Sequence, residues 1–379
     1  MWITYSTAKA LNPTAVALGN FDGLHRGHQK VIQPVLNFVK SQETLPATSV
    51  HNSALIDSTQ QVYSTVVSFN PHPKEFFSGQ SRALLTPLEE KKLQLSIWGI
   101  QQLVLLPFDR ELVALSPEDF VEKILVQQLG TQTISVGEDF CFGKQRSGTA
   151  NDLQAIAAKF GIPVTVVPNF TWCGDRVSSS AIRQALTEGN LQRAKQLLGR
   201  PYILTGTVVK GQQLGRTIGF PTANLQLLAN KFLPRQGVYA VRVLIEGERL
   251  SASGEWRVAS GERLDSSFVV KSELLPADKP PSGLVPGASR LNAASSYSLP
   301  LAAGVMNIGY RPTINGTTQS VEIHLLDWSG DLYGKNLTVE LEEFLRPEQK
   351  FADLEELKAQ INADCAKAKS LLMPEQSSR

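Results

Sequence analysis

The chain has 379 residues, too many for one ordinary core and suited to two domains of roughly 100–200 residues each. Its 42% hydrophobic and 19% charged residues exclude wholesale disorder. Lys plus Arg number 37 against 35 Asp plus Glu, and no basic stripe is interleaved with aromatics, which argues against nucleic acid as a partner and leaves small phosphorylated molecules open.

The first half alternates strand-like and helix-like runs. "TAVALGNF" (14–21) reads as a strand, "HQKVIQPVLNFVK" (28–40) as a helix interrupted by Pro34, "VYSTVVSFN" (62–70) as a strand and "PLEEKKLQLSIWG" (87–99) as a helix. "QQLVLLPF", "PEDFVEKILVQQLG", "TISVGEDF", "NDLQAIAAKFG" and "PVTVVPNF" continue the alternation, which predicts a parallel α/β sheet covered by helices. In such sheets ligands sit beyond the carboxyl ends of the strands, where the glycine and histidine clusters fall.

After "AIRQALTEGNLQRAKQLLGRPY" the texture changes, and a domain border near residue 186 is expected, giving portions 1–186 and 187–379. "ILTGTVVKG", "GVYAVRVLIEG", "GVMNIGY", "QSVEIHLLDW" and "NLTVELEEFL" are short, β-rich and punctuated by Gly and Pro, as in a small β-barrel. A final helix, "DLEELKAQINADCAKAKSLL", keeps Leu354, Leu357, Ile361, Cys365 and Leu372 near one stripe and is expected to close the barrel. Two stretches, 41–61 and 246–302, are rich in Ser, Pro, Ala and Gly without sustained periodicity and read as flexible insertions.

No run of about 18 apolar residues occurs and the N-terminus lacks an export-signal pattern, so no membrane association is expected. Cys141, Cys173 and Cys365 are odd in number and far apart, which fits packing residues in a reducing, cytoplasmic setting. The composition is compatible with a homo-oligomer.

"GNFDGLHRGH" (19–28) carries two histidines three apart among glycines at a strand-to-helix seam. Zinc would require further ligands that neither Cys nor other His supplies convincingly. A phosphate cradle uses more of the residues: His25 and His28 at a helix start, with Gly23 and Gly27 letting phosphate approach the main chain. Imidazole donors there can stabilise charge on an α-phosphate during in-line attack. A glycine-rich turn with surface histidines is the alternative that spacing alone leaves open.

"VSFNPHPKEFF", "SVGEDFCFGKQRSG" and "VSSSAIRQAL" accompany it. His72 between two prolines suits a rigid loop, and Phe140 and Phe142 suit a core. Ser178, Ser179 and Ser180 are placed to cap the next helix, and Arg183 one turn on would add a cation for phosphate.

In the second half, "GTVVKGQQLGRTIGFPTANL" (206–225) sets glycines around a strand and loop, suited either to a phosphate or to β-turns. Thr222 and Asn224 offer hard neutral oxygens of the kind Mg²⁺ takes; a metal-free Pro-Thr-Ala-Asn turn is the alternative. In "SVEIHLLDW", alternation puts Glu322 and His324 on one face and Val321, Ile323 and Leu325 on the other, so Glu322 can face a site and accept a hydroxyl proton.

Together "GNFDGLHRGH", "FNPHPKE", "GEDFCFG" and "SSSAIR" resemble the adenylyltransferase half of the bifunctional riboflavin kinase/FAD synthetases of prokaryotes. From Gly206 onward the chain resembles riboflavin kinase, through "GFPTANL", "NIGYRPTINGT", "GDLYGK" and "LRPEQKF". The resemblance implies an α/β nucleotidyltransferase (Rossmann-like) N-terminal domain and a six-stranded barrel with a terminal helix. It implies phosphorylation of riboflavin to FMN with ATP, then adenylylation of FMN to FAD with release of pyrophosphate, both with Mg²⁺. By motif position, Gly19, Asn20, Phe21, Asp22 and Gly27 belong to the nucleotide pocket, His25 and His28 contact ATP phosphates, Ser180 and Arg183 bind phosphate, and Asp139 is a site residue. In the barrel, Thr222 and Asn224 take Mg²⁺, Glu322 is the base, Gly211, Gly215 and Gly219 surround ADP, and Arg346 is a ligand contact. Cys141 stands where relatives often have Arg. The rival readings are a riboflavin kinase with a structural N-terminal half and a flavin or nucleotide sensor without turnover; His25, His28, Ser180 and Arg183 speak against the first.

Overall fold

A computed structural model describes residues 1–43, 61–211, 215, 218–246, 248–250, 256–258, 302–313 and 316–373. The chain divides into two compact units, Met1–Ser179 and Ser180–Arg379.

The first unit is built on six parallel strands: β1 (Trp2–Thr4), β2 (Thr14–Leu18), β3 (Tyr63–Asn70), β4 (Gln102–Pro107), β5 (Thr131–Gly137) and β8 (Val164–Val167), in the order β1-β4-β3-β2-β5-β8. All five residues of β2 are buried because both faces of the sheet are covered. Ala15 and Ala17 pack with one cluster that includes Val31, Ile32, Val35 and Leu95; Val16 and Leu18 pack with another that includes Phe120, Leu125 and Leu153. The first cluster lies under α1 (Arg26–Glu43) and α3 (Leu88–Ile97), the second under a π-helical segment (Phe120–Gln128) and α6 (Ala150–Ala158). Chain order reverses on either side of β2, so the switch point of this doubly wound sheet lies at the carboxyl ends of β2 and β5.

Three local differences from the sequence expectations have simple causes. Helix α1 runs through Pro34, whose missing hydrogen bond costs about 3 kcal/mol. Burial of Val31, Ile32, Val35 and Val39, each contributing roughly 1.5–3 kcal/mol, outweighs it. "NPHPKE" forms α2 (Pro73–Ser78) rather than a loop, because His72 caps it: its Nδ1 accepts from Lys74 N–H while Glu75 reaches back to His72 N–H. The run at 117–130 begins as α5 (Pro117–Asp119), after α4 (Arg110–Ala114), and continues with π rather than α hydrogen bonding. Short hairpins fill the links: β6 (Cys141–Phe142) with β7 (Gly148–Thr149), and β9 (Thr171–Trp172) with β10 (Asp175–Arg176).

The second unit opens with α7 (Ser179–Glu188, entered from the first unit) and α8 (Leu191–Leu198), then forms a closed antiparallel barrel. Its strands are β11 (Tyr202–Val209), β12 (Ala223–Leu227), β13 (Gly237–Ile245), β16 (Ala302–Thr313), β17 (Gly316–Leu325) and β18 (Asn336–Arg346), ordered β11-β12-β17-β16-β13-β18. Tyr239, Val241, Met306, Ile323 and Val339 are buried and alternate with outward residues along their strands.

The terminal helix, α9 (Leu354–Leu372), lays Ala368 and Leu372 on Val238, Ala240, Ala303 and Val305. The expected stripe is corrected in its first turn. Leu354 is 50% exposed, and the buried phase runs through Asp364, Ala368 and Leu372 with Cys365 beside them.

Of the two insertions, α1 extends to Glu43, and Glu248–Leu250 (β14) pairs antiparallel with Trp256–Val258 (β15), so those parts are regular rather than loop. The remainder, 44–60 and most of 247–301, lies outside the described residues.

Candidate active sites

Three of the N-terminal motifs lie just beyond a strand's carboxyl end on the same edge of the parallel sheet: Gly19–His28 after β2, Pro71–Glu75 after β3 and Glu138–Phe142 after β5; the β9–β10 hairpin follows β8, and the fourth motif, at residues 178–183, leads into α7. The Gly19–His25 loop is bent tightly, with Phe21 (φ 48°), Gly23 (φ 95°) and Leu24 (φ 44°) all in the left-handed region. For Phe and Leu this is strained, and the surroundings hold it: both side chains are essentially fully buried. Gly19 N–H donates to Val67 O at 3.2 Å, Thr86 N–H to Asp22 Oδ1 at 3.2 Å, and Ser179 Oγ to Asp22 O at 2.7 Å.

His25 is the N-cap of α1. It is 6% exposed, and its Nδ1 accepts from His28 N–H at 3.2 Å, so the ring's proton resides on Nε2 and one first-turn N–H is taken internally. The His28 ring stacks on His25 with centroids 3.6 Å apart and tilts against Phe21 at 5.2 Å. A Cβ at Gly27 would stand 3.1 Å from His25 Nδ1 and press on the imidazole, so glycine leaves the ring its place. The structure therefore assembles Gly19, Asn20, Phe21, Asp22, His25, Gly27 and His28 around one helix N-terminus with its positive dipole end.

Asp139 follows β5 and is bound by Arg176 Nη2 at 2.8 Å, while Cys141 Sγ lies 3.7 Å from Asp139 O. Ser180 and Arg183 are on α7, in the second unit. The helix starts at Ser179, so Ser180 is an exposed first-turn residue rather than the cap, and the Arg183 guanidinium lies 5.5 Å over Phe232.

Lys91, Thr86 and Arg176 were not singled out from sequence. For Lys91 a signal existed: Leu88, Lys91 and Leu95 share a helix face, and the residue is 9% exposed, whereas neighbouring Lys92 pairs with Glu89 at the surface.

The barrel site is outside the strand wall. Asn224 on β12 and Asn307 on β16 both stand opposite Glu322 on β17, so three polar side chains line one outer row. Thr222 Oγ1 donates to Glu322 Oε2 at 3.2 Å. Gly211 and Gly215 have no room for a Cβ: at Gly211 it would collide with the Asn224 carboxamide, and at Gly215 with Phe220 O. Gly219 adopts φ 91°, suited to glycine. His324 Nδ1 donates to Pro221 O at 2.9 Å and its ring meets Phe220 edge-on, which fixes the turn that carries Thr222. Asn307 Nδ2 in turn reaches Glu348 Oε1 at 3.3 Å, over the space left by Gly309.

Arg346, expected as a ligand contact, has an intrachain partner. Its Nε and Nη2 bind the Asp364 carboxylate at 2.8–3.1 Å; both side chains are shielded, and strand β18 is thereby tied to α9. Among the described residues no group of three or more His, Cys, Asp or Glu side chains is placed to hold a metal ion, and no helix is long and apolar enough to cross a membrane.

Residues 7–181 match the family model for FAD synthetase and residues 198–372 that for riboflavin kinase. Relatives described as bifunctional riboflavin kinase/FMN adenylyltransferase include the Escherichia coli K12 protein, 36% identical over 92% of this chain and 90% of that one. The Pseudomonas fluorescens protein is 34% identical over 94% and 92%, and the Haemophilus influenzae protein 33% over 97% and 96%. A solved Streptococcus pneumoniae structure, described as a macrolide-efflux protein, superposes with TM-score 0.70 at 24% identity over 97% of this chain and 98% of that one, a likeness of fold alone. Two family halves in the same chain, and relatives spanning nearly all of it, place this protein in the bifunctional riboflavin kinase/FMN adenylyltransferase family, which phosphorylates riboflavin to FMN and adenylylates FMN to FAD.

Proposed function

We propose that the two reactions occupy separate sites, FMN adenylylation at the carboxyl edge of the parallel sheet and riboflavin phosphorylation on the outer face of the barrel. In this reading FAD synthetase corresponds to residues 1–186 and riboflavin kinase to 187–379. The observation that carries it is the Thr222–Glu322 hydrogen bond with Asn224 in register, which sets a carboxylate, a hydroxyl and an amide on adjoining elements.

In the barrel, Glu322 accepts the proton of the terminal ribityl hydroxyl as that oxygen attacks the γ-phosphorus of ATP, and ADP leaves. Gly211, Gly215 and Gly219 let the ADP phosphates approach the main chain. Thr222 Oγ1 and Asn224 Oδ1 are hard neutral oxygens, a donor pair that fits Mg²⁺ shared with nucleotide phosphates. Bound there, Mg²⁺ would offset the charge of the transferring phosphoryl group.

At the sheet edge, a phosphate oxygen of FMN attacks the α-phosphorus of ATP, the bond to the β-phosphate oxygen breaks, and pyrophosphate departs. Gly19, Asn20, Phe21, Asp22 and Gly27 frame the nucleotide, and His25 Nε2–H and His28 donate to its phosphates; by motif position, Ser180 and Arg183 are phosphate binders. By motif position Asp139 is a further residue of this site. Three dispersed free cysteines support a reducing cytoplasmic setting.

Product analysis with purified protein, riboflavin and Mg-ATP tests the assignment. Glu322→Gln should stop FMN formation while FMN is still converted to FAD and pyrophosphate, and His28→Ala should do the reverse. Loss of both activities in either folded variant would refute separate sites.

A further inference from the structure

Lys91 is a buried ammonium group that none of the chemistry above uses. It projects from the first turn of α3 to a position where the side chain is almost wholly removed from water. Its Nζ donates to Asn20 O at 3.1 Å and to Ser68 Oγ at 3.4 Å, and Ser68 Oγ itself donates to Asn20 O at 3.0 Å. The Asn20 carbonyl thus takes two donors, one of them charged, immediately before Phe21 begins the left-handed bend. Burial pushes the Lys91 ammonium down to about 8, against the opposing pull of Asp22, so it is still mainly cationic near neutral pH. A buried cation held mainly by neutral oxygens is costly, and a helix does not need one for packing.

We infer that Lys91 is a positioning residue for adenylyl transfer, clamping the Asn20 carbonyl so that the strained Gly19–His25 loop presents its backbone and His25 to the nucleotide phosphates. The inference rests on the placement of adenylylation at this loop. Its logic is that left-handed Phe21 and Leu24 relax unless the chain leading into and through the bend is fixed. Thr86 and Ser179 hold it within the bend, at Asp22; Lys91 and Ser68 hold it immediately before, at Asn20. The cation also lies beneath a loop that receives a polyphosphate, where a fixed positive charge adds to the helix dipole.

The test uses the full-length protein. Lys91→Met and Lys91→Arg are compared with wild type for FMN adenylylation under saturating and limiting ATP, with riboflavin phosphorylation and a thermal melt measured on the same preparations. For Lys91→Met the expected result is a fall in adenylylation kcat of about 10–100-fold, the size of losing a charged hydrogen bond, with KM for ATP changed less than about threefold. Riboflavin phosphorylation should be unchanged, and Lys91→Arg, which restores a cationic donor, should recover part of the kcat. Wild-type kcat in Lys91→Met, or a loss that merely tracks the unfolded fraction and is not recovered by arginine, would overturn the inference while leaving the site assignment intact. If wild type itself makes no FAD from FMN, the site assignment fails and the inference with it.

Discussion

Single residues divide into those whose role follows from local spacing and those whose role depends on distant chain. Glu322 is of the first kind: strand alternation alone puts it opposite Val321 and Ile323, and the barrel buries those two and leaves Glu322 on the outer row. Gly211 is of the second, since its lack of a side chain matters only because Asn224 is folded against it. Gly211→Ala should therefore displace the Asn224 carboxamide and lower FMN formation by at least about tenfold, roughly 1.4 kcal/mol of barrier, with conversion of FMN to FAD unaffected in the same assay. His72 gives a pH prediction. Burial, reinforced by Arg82, pulls its imidazole down to about 4 in the folded chain, against the usual 6.5. The unfolded chain takes up the proton first, so this contribution to stability is complete above about pH 6.5 and is lost as pH falls towards 4. His72→Asn, which retains an N-cap acceptor without titrating, should flatten the melting temperature of the N-terminal unit across that window.

Elements were legible where an apolar period set them. The parallel strands and the long helices follow from their runs, and Pro34 did not break α1 because tertiary burial outweighs one lost hydrogen bond. Strand β12 was not distinguished from its Pro-Thr-Ala-Asn turn, since a five-residue segment beside a proline has too short a pattern. The phase of α9 was misjudged at Leu354 because the sequence does not reveal that a buried Asp364 lies on the packed face. That aspartate and Arg346 are the helix's polar attachment to the barrel, and removing one partner leaves a shielded charge unpaired. Asp364→Asn should destabilise the C-terminal unit by about 3 kcal/mol, read from the midpoint of its urea unfolding transition followed by far-UV circular dichroism.

At the scale of the whole molecule there are two units, each with buried apolar clusters of its own, and the proposed sites would hand on a small, diffusible product. Full-length His28→Ala and Glu322→Gln proteins, each unable to make FAD from riboflavin, should regain FAD synthesis when mixed with riboflavin and Mg-ATP, the first supplying FMN and the second adenylylating it. Liquid chromatography of the flavins checks this, and failure to complement would mean that the two sites are not independent. By itself the sequence determined the two-part architecture and the α/β and β-barrel character of the parts, because period and turn composition are local properties of the chain. Only the tertiary structure decided that Lys91 grips Asn20, that Arg346 binds Asp364 of α9, and that Asn307 stands opposite Glu322 and reaches Glu348. Those pairings join residues on different elements, and no local pattern encodes which donor will meet which acceptor once the strands are in register.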